Sequence, residues 1–497
     1  MIFRDWLKEL DYTLLQGSVD VETEDVIYDS RKAAPGKVFV AMKGIRVDGH
    51  SFIPQVLKAG VRVLVTERPV EEELKNSGLS EDELKQVTVV MVEEGRHALA
   101  LLSAARFDHP AKKLVMIGVT GTKGKTTTTH MIRAILLAAG KKVGMIGTTG
   151  TVIGDVVTPT LNTTPESYEL HQAFAQMVEA GCEYAVMEVS SQGIKMHRTD
   201  GLYFNYAIFT NISPDHIGPG EHADFEEYLY YKTRLLNMCG IGLVNKDDEH
   251  APQIIKAANC ELYTYSEESK EADFVASDIR YVSQPDFVGT EFHISGKYDM
   301  EVRLGIPGLF NVVNALAAVS VCSFLGLDQA RISHALENIR VNGRMEIVYT
   351  SERCTVLVDY AHNAVSMESL LSTLRDYKPK RLVCVFGCGG NRSKDRRYSM
   401  GEIGGKMADL SIITADNSRY EKVEDIIADI RGSIEKTGGK FIEIPDRREA
   451  IRYSILHAQP GDMVAVIGKG HEDYQEIKGK KYPMDERVLI ADILAGK

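Results

Sequence analysis

Residues 114–127 read LVMIGVTGTKGKTT, an apolar run of strand length that breaks into glycines and then into a lysine and threonines. A short unbroken apolar run marks a strand buried on both faces, and the glycine turn with its helix-compatible sequel marks a strand, turn and helix. In that setting Gly121, Thr122, Lys123, Gly124, Lys125, Thr126 and Thr127 form a phosphate loop. Glycines let the backbone wrap an anion, the helix N-terminus offers free N–H groups, Lys125 neutralises phosphate oxygens, and the Thr126 hydroxyl can reach Mg2+. Val119 stands where the strict G-x-x-x-x-G-K-[ST] pattern has glycine. A chance GKT in a glycine turn is the bland alternative, and the strand before it and the helix after it count against that reading. The expectation is binding of ATP or GTP.

Outward from this loop, strand-like and helix-like runs alternate: GMIG near 144, a helix after Thr164, EYAVMEV at 183–189, YAIFTNI at 206–212, and a helix ending in YYKTRLLNM. That alternation predicts a parallel, helix-covered sheet. A stretch over about 260–305 reads as an antiparallel insertion before a helix at 310–325. Beyond NGRME at 342–346, the runs TVLVDYA, RLVCVFG, LSIITAD, KFIEI and MVAVIG form a second doubly wound, Rossmann-like unit. Upstream, VFVAM (38–42), VRVLVTE (61–67), an acidic surface segment at 71–86 and a helix near 96–106 precede a linker, FDHPAKK. The fold class expected is α/β with three domains: residues 1–110, a central P-loop ATPase over 111–343, and a Rossmann-like domain over 344–497.

The 497 residues suit about three domains at roughly 150 residues each. With 44% hydrophobic and 26% charged residues, the chain reads as an ordinary globular protein rather than a disordered or collagen-like one. A net charge of −12 lowers the expectation of nucleic-acid binding, while leaving room for a local basic pocket that holds a small anion. Seven scattered cysteines without paired short spacings suit free thiols in a reducing compartment. No apolar run reaches about 18 residues and the N-terminus carries no apolar core with a cleavage site, so membrane insertion and a signal peptide are not expected. The working expectation is a cytoplasmic, monomeric protein.

Glu188 ends the apolar run YAVM and so falls at the C-terminal end of a core strand, on the sheet edge that carries the phosphate loop. A carboxylate there can hold Mg2+, with a capping or turn role as the bland alternative. Asp215-His216 offers a further ligand at a strand end. Lys232 lies on the next helix, where a lysine is most often simply solvated. Gly387-Cys-Gly389-Gly390 and Gly468-Lys-Gly470 do not complete a dinucleotide fingerprint and read as turns at strand ends, where doubly wound sheets bind ligands. No nucleophile motif for covalent hydrolysis is present.

Taken together, DSR (29–31), DGH (48–50), TGTKGKTTT, NTTPE (162–166), MEVSS (187–191), NISPDH (211–216), Asn311, NGRME, VDYAHN (358–363), FGCGGNR (386–392), ADNSR (415–419) and GKGHEDYQ (468–475) resemble, in order and over essentially the whole chain, the Mur ligases. The likeness is greatest to their UDP-N-acetylmuramoyl-tripeptide synthetase branch. The resemblance implies an N-terminal domain for UDP, a central ATPase and a C-terminal domain for the incoming amino acid. It also implies the reaction: ATP phosphorylates a carboxylate of a UDP-muramoyl-peptide, and an amine displaces phosphate from the acyl phosphate in a step of peptidoglycan precursor synthesis.

By the same resemblance Lys125, Glu188, His216 and Lys232 are the catalytic set, with Thr126, Glu188, His216 and a carbamylated Lys232 around Mg2+. Asn311, Arg344 and Asp359 join the phosphate loop at the nucleotide. Ser30, Asn162, Thr163, Thr164, Ser190 and Arg198 hold the UDP-muramoyl-peptide, with Met196 where the family often has glutamine. The segment IGPGEHADF is about two residues longer than the commoner pattern. Arg392, Asp416, Asn417, Ser418, Arg419, Gly468 and Glu472 surround the amino acid. Family members that add meso-diaminopimelate carry Asp-Asn-Pro-Arg, and here Ser418 replaces the proline while Arg419 is kept. A guanidinium can pair with the distal carboxylate of diaminopimelate, which lysine lacks. Diaminopimelate is therefore the expected acceptor. Lysine or another diamino acid, a folylpolyglutamate- or cyanophycin-type ligase, and a non-catalytic nucleotide-binding regulator are the alternatives.

Overall fold

The computed structural model describes residues 1–44 and 47–496. Contacts divide the chain into two compact units, Met1–Tyr265 and Ser266–Lys497.

The first unit begins with a five-stranded sheet in the order Thr13–Gln16, Thr88–Met91, Val63–Thr66, Lys37–Val40, Asp25–Ile27, parallel except for its first strand. Side chains alternate between faces along each strand. Val38, Val40, Val63 and Val65 meet the helix Gly95–Arg106 and Trp6, while Phe39 and Leu64 meet the helix Ile53–Lys58. Both faces are covered, which is why the strands read as continuous apolar runs. The acidic segment at 71–86 forms two short helices, Glu71–Lys75 and Glu81–Leu84.

The larger sheet of this unit is parallel at its centre. Val115–Thr120 lies between Tyr184–Glu188 and Phe204–Phe209, with Val143–Gly147 beyond the former and Cys239–Asn245 beyond the latter. Two departures from the sequence reading appear. Residues 261–265 continue the parallel sheet beside 241–245 instead of opening an antiparallel insertion, because a short helix, Ala251–Ala257, returns the chain in a crossover. At the other edge Gly150–Ile153 and Val156–Thr158 fold back antiparallel, joined by a turn through Gly154 in the left-handed region. Glu188 is in register with Val119, two residues ahead of Gly121. Adjacent parallel strands thus deliver the carboxylate and the phosphate loop to one edge.

The second unit opens with antiparallel strands Phe274–Gln284, Phe287–Gly296 and Met300–Leu304, against which the helix Leu309–Phe324 packs. Its main sheet runs Glu346–Thr350, Cys354–Asp359, Asp462–Ile467, Arg381–Phe386, Leu410–Ile413, Phe441–Glu443, antiparallel only at the first pair. Val356, Val358, Val383, Val385, Val464 and Val466 form its core. The last parallel strand inserts between the first two, so the segments following Asp359, Phe386, Ile413 and Ile467 leave neighbouring strand ends. This is the crevice in which doubly wound sheets bind ligands.

Candidate active site

At the phosphate loop Gly121 has φ +144°, and a Cβ there would lie 1.9 Å from the Thr210 hydroxyl oxygen, so only glycine fits. Gly124, at φ +87°, starts the helix Lys125–Ala138. The loop is braced from the neighbouring strand end: the Thr122 amide donates to the Asn211 carbonyl (2.8 Å) and the Lys123 amide to Asn211 Oδ1 (2.9 Å). Thr210 Oγ1 donates to the Lys123 carbonyl at 2.6 Å. Two ammonium groups converge on one oxygen, since Lys125 Nζ and Lys232 Nζ donate to the Gly121 carbonyl at 2.8 and 2.7 Å. Lys232 is 2% exposed and lies 4.7 Å above the Tyr228 ring. Burial, reinforced by the positive charge of Lys125, holds its pKa well below the ordinary lysine value. The surface role that a lone lysine suggests does not apply to it.

Glu188 is 1% exposed. Its carboxylate accepts from Thr126 Oγ1 (3.0 and 3.1 Å), the Thr148 amide (2.9 Å) and Thr148 Oγ1 (3.2 Å). Those partners are neutral, and an anionic oxygen beside a threonine hydroxyl is a donor set suited to a small hard cation. Thr127 is buried in the first turn of the same helix.

The segment NTTPE adjoins this carboxylate. Thr163 Oγ1 meets Thr148 Oγ1 at 3.1 Å, and Thr164 Oγ1 donates to the Glu188 carbonyl while accepting from the Ser190 amide. Arg198 pairs with Glu166 and donates to the Thr164 carbonyl. Ser190 Oγ caps the short helix Ser191–Lys195 by accepting from the Gly193 amide. Asn162 is exposed. Ser30 lies in a single helical turn capped by Asp29.

His216 is not joined to Glu188 or Thr126 by any hydrogen bond among the described residues. It stands in the left-handed region at φ +52°, exposed, with Nδ1 3.2 Å from Glu221. The residue that anchors its loop is one that sequence reasoning missed. His222 is fully buried, its Nε2 is 2.9 Å from Ser191 Oγ, and its amide donates to the His216 carbonyl at 3.0 Å. Burial lowers the His222 pKa, which favours the neutral ring. Nothing in EHADF distinguishes this histidine by spacing.

In the second unit Asn311 is buried, donating to the Pro307 carbonyl at 2.7 Å. The Arg344 guanidinium lies 5.1 Å from the Tyr360 ring centroid. Asp359, at the end of its strand, accepts from the Met345 and Ala361 amides, and burial raises its pKa. The predicted acceptor residues do come together. Asn417 Nδ2 donates to Glu472 at 2.9 Å, and the buried Lys469 Nζ donates to both Asn417 Oδ1 (3.0 Å) and Glu472 (3.1 Å). Arg419, at φ +50°, donates to the Gly390 carbonyl (2.8 Å) and to Glu476 (3.3 Å). A Cβ on Gly389 would stand 3.3 Å from the Arg419 guanidinium and 4.0 Å from Arg392, so both arginines border one turn. Gly468, at φ +117°, lets Asp416 approach to 2.7 Å of where its Cβ would be. Ser418 is buried. Arg447, another residue with no sequence signal, ties the crevice: it pairs with Glu486 and donates to the Ala415 and Ile467 carbonyls.

A phosphate loop beside a buried carboxylate marks a nucleotide-using enzyme, and the doubly wound domain gathers arginines and a carboxylate at its strand ends. Family profiles match in chain order: "Mur ligase family, catalytic domain" over residues 23–107, "Mur ligase middle domain" over 119–322, and "Mur ligase, glutamate ligase domain" over 343–470. Two relatives, from Caldanaerobacter subterraneus subsp. tengcongensis and Clostridium perfringens, are each named "UDP-N-acetylmuramoyl-L-alanyl-D-glutamate--2,6-diaminopimelate ligase". The first is 39% identical over 99% of this chain and 98% of its own length, the second 38% identical over 100% of each. A solved structure of a ligase of the same name superposes with a TM-score of 0.72 at 29% identity, covering 95% of both chains. The chain belongs to the Mur ligase family, and it is an ATP-dependent ligase.

Proposed function

We propose that the protein joins meso-2,6-diaminopimelate to UDP-N-acetylmuramoyl-L-alanyl-D-glutamate at the expense of ATP, in the cytoplasm, acting as a monomer on small molecules alone. The observation that carries the ATP half is the convergence of Lys125 and Lys232 on the Gly121 carbonyl beside Thr126 and Glu188. A carboxylate is a poor electrophile, so a leaving group must be installed on it. In this reading Lys125 turns from Gly121 to the ATP phosphates and offsets the repulsion between the two anions that must meet. Arg198 and the NTTPE hydroxyls orient the peptide carboxylate, with Ser30 at the uridine end. The oxygen of the acyl carboxylate takes the terminal phosphoryl group of ATP, ADP leaves, the amine adds to the acyl carbon, and phosphate departs from the tetrahedral intermediate.

Mg2+ fits the Thr126 and Glu188 oxygens, and His216 and Lys232 are the further candidates to hold it. When bound it would neutralise the charge developing on the transferred phosphoryl group. For Lys232 this role requires carbamylation, in which its neutral amine adds to CO2 and releases a proton, leaving an anionic carbamate. The depressed pKa favours the neutral amine that this addition needs.

Two features support diaminopimelate as the acceptor: the relatives' names, and the grouping of Arg392 and Arg419 with Asp416, Asn417 and Glu472 around one crevice. The arginines would take the distal carboxylate, and Glu472 the distal ammonium. Glu476 occupies Arg419 in the meantime, and the substrate carboxylate would displace it. The test is phosphate release from ATP. It should require the UDP-muramoyl-dipeptide and the amino acid together; release independent of the amino acid would overturn the ligase reading, and Lys125→Ala should abolish the dependent release.

A further inference from the structure

We propose that His97, His197 and Asp200 form a binding site for a divalent transition-metal ion of the zinc class, separate from the phosphate loop, which fastens the helix Gly95–Arg106 to the segment 197–200. His97 lies near the start of that helix, and the other two lie a hundred residues further along the chain, beyond the short helix Ser191–Lys195. One ligand atom from each of the three lies within 4.8 Å of the others.

The donor set decides the kind of ion. Two imidazole nitrogens and one carboxylate oxygen suit zinc, cobalt or nickel, whereas magnesium and calcium prefer oxygen ligands. The arrangement also converges on a point. His97 Nδ1 lies 2.6 Å and His197 Nδ1 2.8 Å from the same oxygen, Asp200 Oδ2. The two rings are steeply inclined, at 78°, with centroids 6.3 Å apart, so their nitrogens approach that oxygen from different directions. Metal–ligand distances of about 2.0–2.2 Å at tetrahedral angles place donor atoms roughly 3.3 Å apart. An ion in place of the shared protons therefore asks each histidine nitrogen to move roughly 0.5–0.7 Å away from Asp200 Oδ2. The displaced Nδ1 protons move to Nε2 or to solvent.

The two rings are 44% and 40% exposed, which gives an ion entry and leaves room for water to complete its coordination. His197 is also held at φ +55°, which few side-chain-bearing residues adopt, and its amide is tied to the Ile194 carbonyl. The backbone that carries this ring is thus tied down, and the ring itself is held by its contact with Asp200. Arg198, between the two ligands in sequence, reaches Glu166 and Thr164, so an ion here would restrain the arginine that faces the NTTPE segment.

The experiment is a titration of the chelator-treated full-length protein with Co2+ in excess Mg2+, read by ligand-field absorption and by equivalents bound. Wild-type protein should bind one equivalent that His97→Ala and His197→Ala each weaken by at least about 10- to 100-fold, while Glu188→Gln, which alters the phosphate-loop carboxylate, retains it. Both histidines are partly exposed, and a circular dichroism melt of each variant controls for folding. Absence of a bound equivalent in wild-type protein, or binding undiminished in either histidine variant, would show that the three residues are only a hydrogen-bonded ion triad.

Discussion

Two ammonium groups, those of Lys125 and Lys232, share the Gly121 carbonyl, and the burial of the second is the kind of fact a sequence does not carry. Lys125 is legible because glycine spacing and strand-to-helix context surround it. Lys232 is one lysine on a helix with a weak amphipathic pattern, and only packing against Tyr228 distinguishes it. The same holds for His222 and Lys469, which reach the distant residues Ser191 and Asn417 respectively. In the proposed reading, acceptor choice turns on Arg419. Arg419→Ala should lower kcat/KM for diaminopimelate by roughly 10- to 100-fold, since a hydrogen bond to a charged group is worth about 1.5–3 kcal/mol, and steady-state kinetics checks it. His171 gives a pH prediction. It is buried, neither ring nitrogen has a hydrogen-bond partner among the described residues, and desolvation lowers its pKa to about 3. Between that value and the unfolded value near 6.5 the unfolded chain binds a proton that the folded one does not. Stability should therefore fall on acidification through this window, with a slope of up to about 1.4 kcal/mol per pH unit. Denaturant unfolding of wild type and His171→Leu at pH 5 and 7 measures it, and the variant should show the shallower pH dependence.

Elements were readable where apolar runs were long and both faces covered, as at 115–120, 184–188 and 462–467. The edges were not. The strand pair at 150–158 is short, and its outer member is exposed throughout, so no core patterning marks it. Residues 261–265 resembled the antiparallel stretch that follows because strand composition does not encode direction; the seven-residue helix before them does. In the C-terminal domain the crevice depends on two strand ends held together by Arg447, whose guanidinium bridges the Ala415 and Ile467 carbonyls while pairing with the buried Glu486. Removing one partner of a buried ion pair costs about 3–5 kcal/mol. Arg447→Ala should destabilise the protein by that order in denaturant unfolding, and also raise KM for the amino acid because the 416–419 and 468–472 segments lose their common tie.

For the whole molecule, the net charge of −12 said little about ligands: each proposed substrate carries phosphate or carboxylate, and in the proposed reading local groups such as Lys125, Arg198, Arg344 and Arg419 would meet them. The motif order made three functional regions legible, and the family profiles follow that order. No helix among the described residues is long and apolar enough to cross a membrane. In the proposed reading this ligase selects a diamino acid with a second carboxylate. The most direct measurement of that selectivity is kcat/KM for meso-diaminopimelate, L-lysine and L-ornithine, each with ATP and UDP-N-acetylmuramoyl-L-alanyl-D-glutamate. The predicted result is a preference for diaminopimelate of at least about tenfold, since the distal carboxylate gains a charge-assisted bond of roughly 1.5–3 kcal/mol; faster incorporation of lysine would contradict it.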